Sequence, residues 1–209
     1  MTRVKICGIR TLDEARAAIG AGAWAIGEVF AASSRKIDID KAAALNREIG
    51  RSVVKIGVFV DEAIGELQYL ARACELDMVQ LHGEEPPEYL GELFLPAIKS
   101  FRVKGPVDPE EFKRWRPWAY LFDTYSSSMP GGTGSAFQWD WLDAVIGREK
   151  IILAGGLNEN NVGMAIKKVR PLAVDVSSGV EYPQGGKDPV LIERFITKVK
   201  EADRDVSRS

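Results

Sequence analysis

The sequence predicts an α/β chain closed into a single (β/α)8 TIM barrel of eight parallel strands, and three observations carry that prediction. Eight short β-branched runs recur along the 209 residues. Helix-like stretches with capping residues lie between them. From Val4 in the first run to Val174 in the eighth the spacing averages about 24 residues, the size of one βα unit in a small barrel. An open doubly wound sheet usually has fewer strands and a G-x-G-x-x-G fingerprint after the first of them, and none follows here.

The first run, RVKIC, ends at Cys7 and leads into a capping box, Thr11 followed by Glu14, that starts the first helix. WAIGEVF is the second strand. The loop AASSRKID leaves it, and Asp40 caps the helix KAAALNREI. VVKIGVFV is the third, and the helical stretch GELQYLARACEL after it carries Cys74. DMVQLH, AIKSFRV and AYLFD are the fourth, fifth and sixth, the last closing at Asp123. A long Gly- and Ser-rich stretch, TYSSSMPGGTGSAFQW, comes next and has the composition of a loop that closes over substrate. KIILAG is the seventh strand, with Asn158 capping the helix ENNVGMAIKKV, and LAVDVSS is the eighth. DPVLIERFITKVKEA supplies the final helix. Each strand is thus expected to be followed by a helix, with the barrel domain over residues 1–202 and a frayed polar tail over 203–209.

Composition narrows the function. At 45% hydrophobic residues the chain can bury a sizeable core. A net charge of -2 from interspersed signs gives no basic stripe for nucleic acid. No stretch approaches the roughly 20 apolar residues that span a bilayer, and no leader precedes RVKICGI, so a soluble cytoplasmic protein with no membrane partner is expected. Two cysteines and one histidine, His82, are too few soft ligands for a zinc site, so no metal is expected. Nothing in the composition sets an oligomeric state.

Barrel active sites assemble from the loops after the strands' C-terminal ends. Cys7, Arg35, His82, Arg102 and Asp123 all fall there. A thiol at that mouth is either a small buried hydrophobe or, when a cation stabilises the thiolate, a base or nucleophile. Cys74, inside a helical stretch, reads as a packing thiol. Asp123 is either a turn former or, desolvated under the loop that follows, a protonated general acid. Arg35 is a loop charge or a two-pronged grip on a carboxylate. His82 is a structural histidine or a substrate contact. Phosphate is the strongest physical reading, because LAGGLNENN and DVSSGVE follow adjacent strands. They place Gly155, Gly156, Ser178 and Gly179 where barrels bind phosphate with backbone N–H groups.

Taken in order, KICGI, SSR, IGVFV, VQLHGEE, IKSFRV, GGTG before FQW, LAGGLNENN and VDVSSGVE resemble the phosphoribosylanthranilate isomerases over nearly the whole chain. The resemblance implies an Amadori rearrangement of N-(5-phosphoribosyl)anthranilate to 1-(2-carboxyphenylamino)-1-deoxyribulose 5-phosphate in tryptophan biosynthesis. It implies a phosphosugar-anthranilate substrate as the small-molecule partner and no cofactor. Cys7 corresponds to the family's general base, Asp123 to its general acid, Arg35 to the contact with the anthranilate carboxylate, and the seventh and eighth loops to its phosphate site. One position departs: Glu28 stands in the second strand where the family commonly has an aromatic or aliphatic residue. A buried carboxylate there must neutralise or find a partner, and beside the mouth it would compete for a cation or alter substrate packing. Two rival readings share the barrel. One is another phosphosugar enzyme, such as an epimerase or a sugar isomerase acting on an aminoimidazole nucleotide; the latter family uses paired aspartates, and Cys7 at the first-strand position argues against it. The other is a catalytically silent phosphate-binding barrel.

Overall fold

The computed structural model describes residues 1–123 and 139–207. Eight strands, β1 (Arg3–Cys7), β2 (Ala25–Val29), β3 (Val54–Phe59), β4 (Met78–Leu81), β5 (Ala97–Arg102), β6 (Ala119–Asp123), β7 (Ile151–Ala154) and β8 (Ala173–Val176), pair in parallel in chain order. The ring closes where β1 meets β8, with Lys5 opposite Asp175 and Ile6 opposite Val176. Every strand lies inside the run that predicted it, because β-branched stretches bounded by Gly, Pro and polar residues leave little latitude for the ends.

Alternation along the strands separates two cores. Ala25, Ile56, Met78, Ile98, Leu121, Ile152 and Ala173 fill the barrel. The other face of each strand packs against α1 (Leu12–Ala21), α2 (Ile39–Ile49), α3 (Ile64–Ala73), α4 (Pro109–Phe112), α5 (Val162–Val169) and α6 (Pro189–Val206). At the strands' N-terminal end, Trp24 stacks on Trp118 at 5.8 Å, with Arg3 over one ring and Lys150 over the other. This apolar floor leaves the opposite end as the open mouth.

The helical layer differs from expectation on one side. After β4 the chain makes only a 3-10 turn, Pro87–Glu92, with Pro86 at its N-cap and Pro87 in its first turn. After β5, α4 is four residues long, and after β6 the described residues hold only the 3-10 turn Trp139–Leu142. Caps shift by two or three residues. The Thr11–Glu14 box is present as read, but α2 is capped by Asp38, whose side chain accepts from Asp40 N, and Asn161, not Asn158, opens α5. Asn158 and Asn161 instead knit their loop: Asn158 N donates to Asn161 Oδ1, and Asn161 Nδ2 donates to Gly156 O. The boundary drawn at residues 202 and 203 falls inside α6, which continues to Val206. Asp203 takes hydrogen bonds from Thr2 N at 2.6 Å and Thr2 Oγ1 at 2.7 Å, so these residues clasp the start of the chain. Cys74 is a buried C-cap thiol on α3, with Sγ 3.7 Å from Ile39 O. No described helix is long and apolar enough to cross a membrane.

Glu28 faces the helices, not the mouth. It is fully buried against α2, where Oε2 accepts from Asn46 Nδ2 at 2.9 Å while Oε1 has no partner. Burial pushes its carboxyl up to about 7, although Asn46 and the nearby Lys55 pull the other way. The folded state therefore holds a proton that the unfolded chain has lost above its ordinary carboxyl pKa near 4.5. Stability should fall as pH rises from about 4.5 to about 7, by about 3 kcal/mol, and then level off. Glu28→Gln should erase that slope and raise the melting temperature at pH 8 while leaving it nearly unchanged at pH 5. Parallel pH–stability curves for the two proteins would refute this account.

Candidate active site

Cys7 ends β1 and turns its thiol into the barrel mouth. Gly8 follows with φ 85°, a left-handed conformation, and a Cβ there would lie 2.7 Å from Arg35 Cδ. Arg35, from the loop after β2, thus lays its alkyl stem across Gly8. Its guanidinium is already engaged: Nε and Nη2 donate to the two oxygens of Glu181, both at 2.7 Å. Lys187 Nζ donates to the same carboxylate at 2.6 Å and to Ser177 Oγ at 3.2 Å. With two cations on it, Glu181 drops to about 2, the hydrogen bonds from Arg35 being the largest cause. The grip read for Arg35 is therefore half occupied. Of its five N–H donors two hold Glu181, and among the described residues the remaining edge of the fork makes no hydrogen bond.

Under Cys7 lies Lys5, two residues back on the same face of β1 and without solvent exposure. Its Nζ pairs with Asp175 Oδ1 at 3.0 Å. Burial alone would push the ammonium to lose its proton, but Asp175 and the Cys7 sulfur outweigh it and hold Lys5 above its usual pKa. Burial pushes the Cys7 thiol up, against the pull of Lys5. Ser177 Oγ donates to Cys7 O at 3.0 Å and ties the end of β1 to the loop after β8.

Across the mouth, Asp123 ends β6, three strands from β1 around the ring. His82 follows β4, with Nε2 at 3.6 Å from Asp123 Oδ2 and Nδ1 at 3.0 Å from Gln80 Nε2. The Gln80 amide thus fixes the orientation of the imidazole, with the other ring nitrogen turned toward Asp123. The loop holding His82 is fixed from below: Lys99 Nζ reaches Glu85 Oε2 and Gly83 O, both at 2.6 Å, and Glu85 takes the Gly83 and Asp61 N–H groups. Arg102, at the end of β5, is the register partner of Asp123.

Gly155 and Gly156 leave β7 at φ 93° and 62°. Gly179 lies so close to the same loop that a Cβ would fall 1.9 Å from Leu157 O, so only glycine fits. Gly155, Gly156, Ser178 and Gly179 are thereby brought together, with Ser178 and Gly179 opening the 3-10 turn Ser178–Val180, whose first N–H groups lack acceptors within the turn. The stretch read as a lid, TYSSSMPGGTGSAFQW, lies outside the described residues except for its last residue, Trp139.

The model of the family described as N-(5'phosphoribosyl)anthranilate (PRA) isomerase matches residues 4–198. The chain belongs to that family. Among its isomerases, the protein of Syntrophomonas wolfei is 61% identical over 96% of this chain and 98% of its own. The crystal structure of the Thermotoga maritima phosphoribosyl anthranilate isomerase superposes with a TM-score of 0.88 at 40% identity, over 96% of this chain and 100% of that one. Another isomerase structure, 38% identical with a TM-score of 0.86 over 96% and 100% of the two chains, is a complex with reduced 1-(o-carboxyphenylamino)-1-deoxyribulose 5-phosphate.

Sequence reading of this isomerase chain missed Lys5, Asp175, Gln80, Glu181 and Lys187. A signal for the first two was present: Lys5 in RVKIC and Asp175 in LAVDVSS are each flanked by apolar residues within a strand, so each needs a buried partner of opposite sign.

Proposed function

We propose that this chain converts N-(5'-phosphoribosyl)anthranilate to 1-(2-carboxyphenylamino)-1-deoxyribulose 5-phosphate, with Asp123 as general acid and Cys7 as general base. The observation that carries the assignment is one mouth holding a thiol and a carboxyl on separated strands. Arg35 lies beside the thiol, and the paired Gly loops follow β7 and β8. The bound product analogue of the relative has a carboxylate at one end and a phosphate at the other, and these two features would hold its ends.

Protonation of the furanose ring oxygen by Asp123 lets the C1–O bond break as the nitrogen lone pair forms a C1=N iminium. His82 Nε2 lies 3.6 Å from the carboxyl that gives up this proton. The iminium acidifies the C2 proton, which the Cys7 thiolate removes; the C–H pair becomes C1=C2 and nitrogen regains its lone pair. The enolamine then takes a proton at C1 and loses one from the C2 hydroxyl, giving the aminoketose. Each positioned proton transfer contributes roughly 10²–10⁴-fold. A soluble, cytoplasmic setting fits such a biosynthetic step.

Purified protein incubated with phosphoribosylanthranilate should yield the aminoketose phosphate, followed by mass spectrometry; no product would reject the activity. Arg35→Lys keeps the charge but loses the planar fork that both Glu181 and a carboxylate need, so KM should rise about tenfold with a smaller change in kcat. An analogue without the carboxylate should lose clearly less on the substitution, and equal damage to both substrates would remove Arg35 from carboxylate recognition. Inorganic phosphate should compete with substrate through the N–H groups around Gly156 and Gly179. Purely noncompetitive inhibition would count against that site.

A further inference from the structure

A sealed ammonium lies directly under the reacting thiol. The point that a Cβ of Gly27 would occupy is 2.8 Å from Cys7 Sγ and 3.0 Å from Lys5 Nζ, so both groups border one gap in β2. Lys5 has no exposed surface, and Asp175, opposite it in register, lies 3.0 Å away. Taking a lysine fully out of water is costly even when it is paired, and an apolar side chain would fill the space without that cost. A cation at this place calls for a role beyond packing.

We propose that Lys5, held by Asp175, is the buried counter-ion of the Cys7 thiolate and so a positioning residue that fixes how readily Cys7 becomes a base. The proposal rests on the reading of Cys7 as the base. With the thiol protonated, Asp175 alone balances the ammonium. With the thiol ionised, Lys5 stands between two anions and supplies the solvation that water cannot reach. When the thiolate takes the C2 proton, that proton stays on sulfur, the C–H electron pair passes to the substrate, and Lys5 remains an ammonium throughout.

Other charges face Cys7. Arg35 comes from the loop after β2, Lys187 from the segment before α6, and Asp175 from β8, while β2 itself offers only Gly27. Arg35 and Lys187 share the carboxylate of Glu181. Lys187 is nearly as buried, but its ammonium is held by Glu181 and Ser177, whereas Lys5 borders the same gap as the sulfur, with no exposed surface.

The test is the pH dependence of Cys7 alkylation by iodoacetamide in the full chain, read from the mass of the Cys7 peptide. Cys74 is then resolved separately and no turnover is needed. Lys5→Met should raise the midpoint by about one to two pH units and Asp175→Asn should lower it by about one. The ascending limb of kcat/KM against pH should move the same way in each variant. Opposite displacements support the counter-ion, since a packing role predicts none. Unmoved midpoints, or two shifts in one direction, overturn it. Should Lys5→Met fail to fold, the near-isosteric Asp175→Asn decides alone, and a midpoint that does not fall overturns the proposal. If the midpoints split as expected while Cys7→Ser turns over normally, the counter-ion stands and the assignment of Cys7 as the base falls.

Discussion

Replacing Cys7 with serine is expected to lower kcat at least about a hundredfold with little change in melting temperature. Serine keeps the shape of a side chain that is already buried, at 9% exposure, and it can still border the gap beside Gly27. What it loses is proton affinity in a usable range. Even with Lys5 adjacent, a hydroxyl stays protonated at pH values where a thiol ionises in part. The substrate should still bind, because Arg35 and the Gly loops are untouched, so KM should stay within a few-fold of the parent and the loss should fall on the chemical step. Turnover near the parent rate would remove Cys7 from proton transfer.

Asp123→Asn should be at least as damaging. The amide fills the same place at the end of β6, beside His82, but it has no acidic proton to give the ring oxygen. Ring opening then depends on water, and kcat should drop by about 10²–10⁴-fold. A ring-opened substrate analogue bypasses that step and supplies the control: it should bind both proteins alike. If Asp123→Asn opened the ring at the parent rate, the acid would have to be another group at the mouth, with His82 the first to examine.

Much of this was legible in the sequence for a local reason. A parallel strand buried on both faces is a short apolar run, and polar or glycine residues at its end are already positioned by the fold, so Cys7, Asp123 and the Gly155–Gly156 pair could be placed on the mouth without knowing any contact. What distant segments contribute was not legible. Glu181 takes the fork of Arg35 from 146 residues away, a relation that no periodicity reports. Asp175 reaches Lys5 only because the first and last strands pair. Gln80 acts on His82 through a ring orientation, which needs coordinates. Glu28 was rightly singled out as odd, but alternation alone does not say which face of a strand looks inward. Gly27 as the neighbour of the thiol settles that β2 turns Glu28 toward the helices.

The closure between β1 and β8 also sets an order for the birth of the protein. Lys5 leaves the ribosome 170 positions before the carboxylate that neutralises it. Until then the most buried ammonium of the finished molecule must remain in water, so β1 cannot seal early against β2 in its native environment. Sealing the ring and neutralising the charge are one event, completed when α6 follows and Asp203 fastens Thr2. A nascent chain that stops short of β8 therefore has neither a closed barrel nor a poised thiol, and proteolytic fragments lacking the last strand should be inert and open rather than weakly active. Fusing the two clasped ends and cutting the chain elsewhere would bring Lys5 and Asp175 from 170 positions apart to about 39, shortening the loop that their pairing must close.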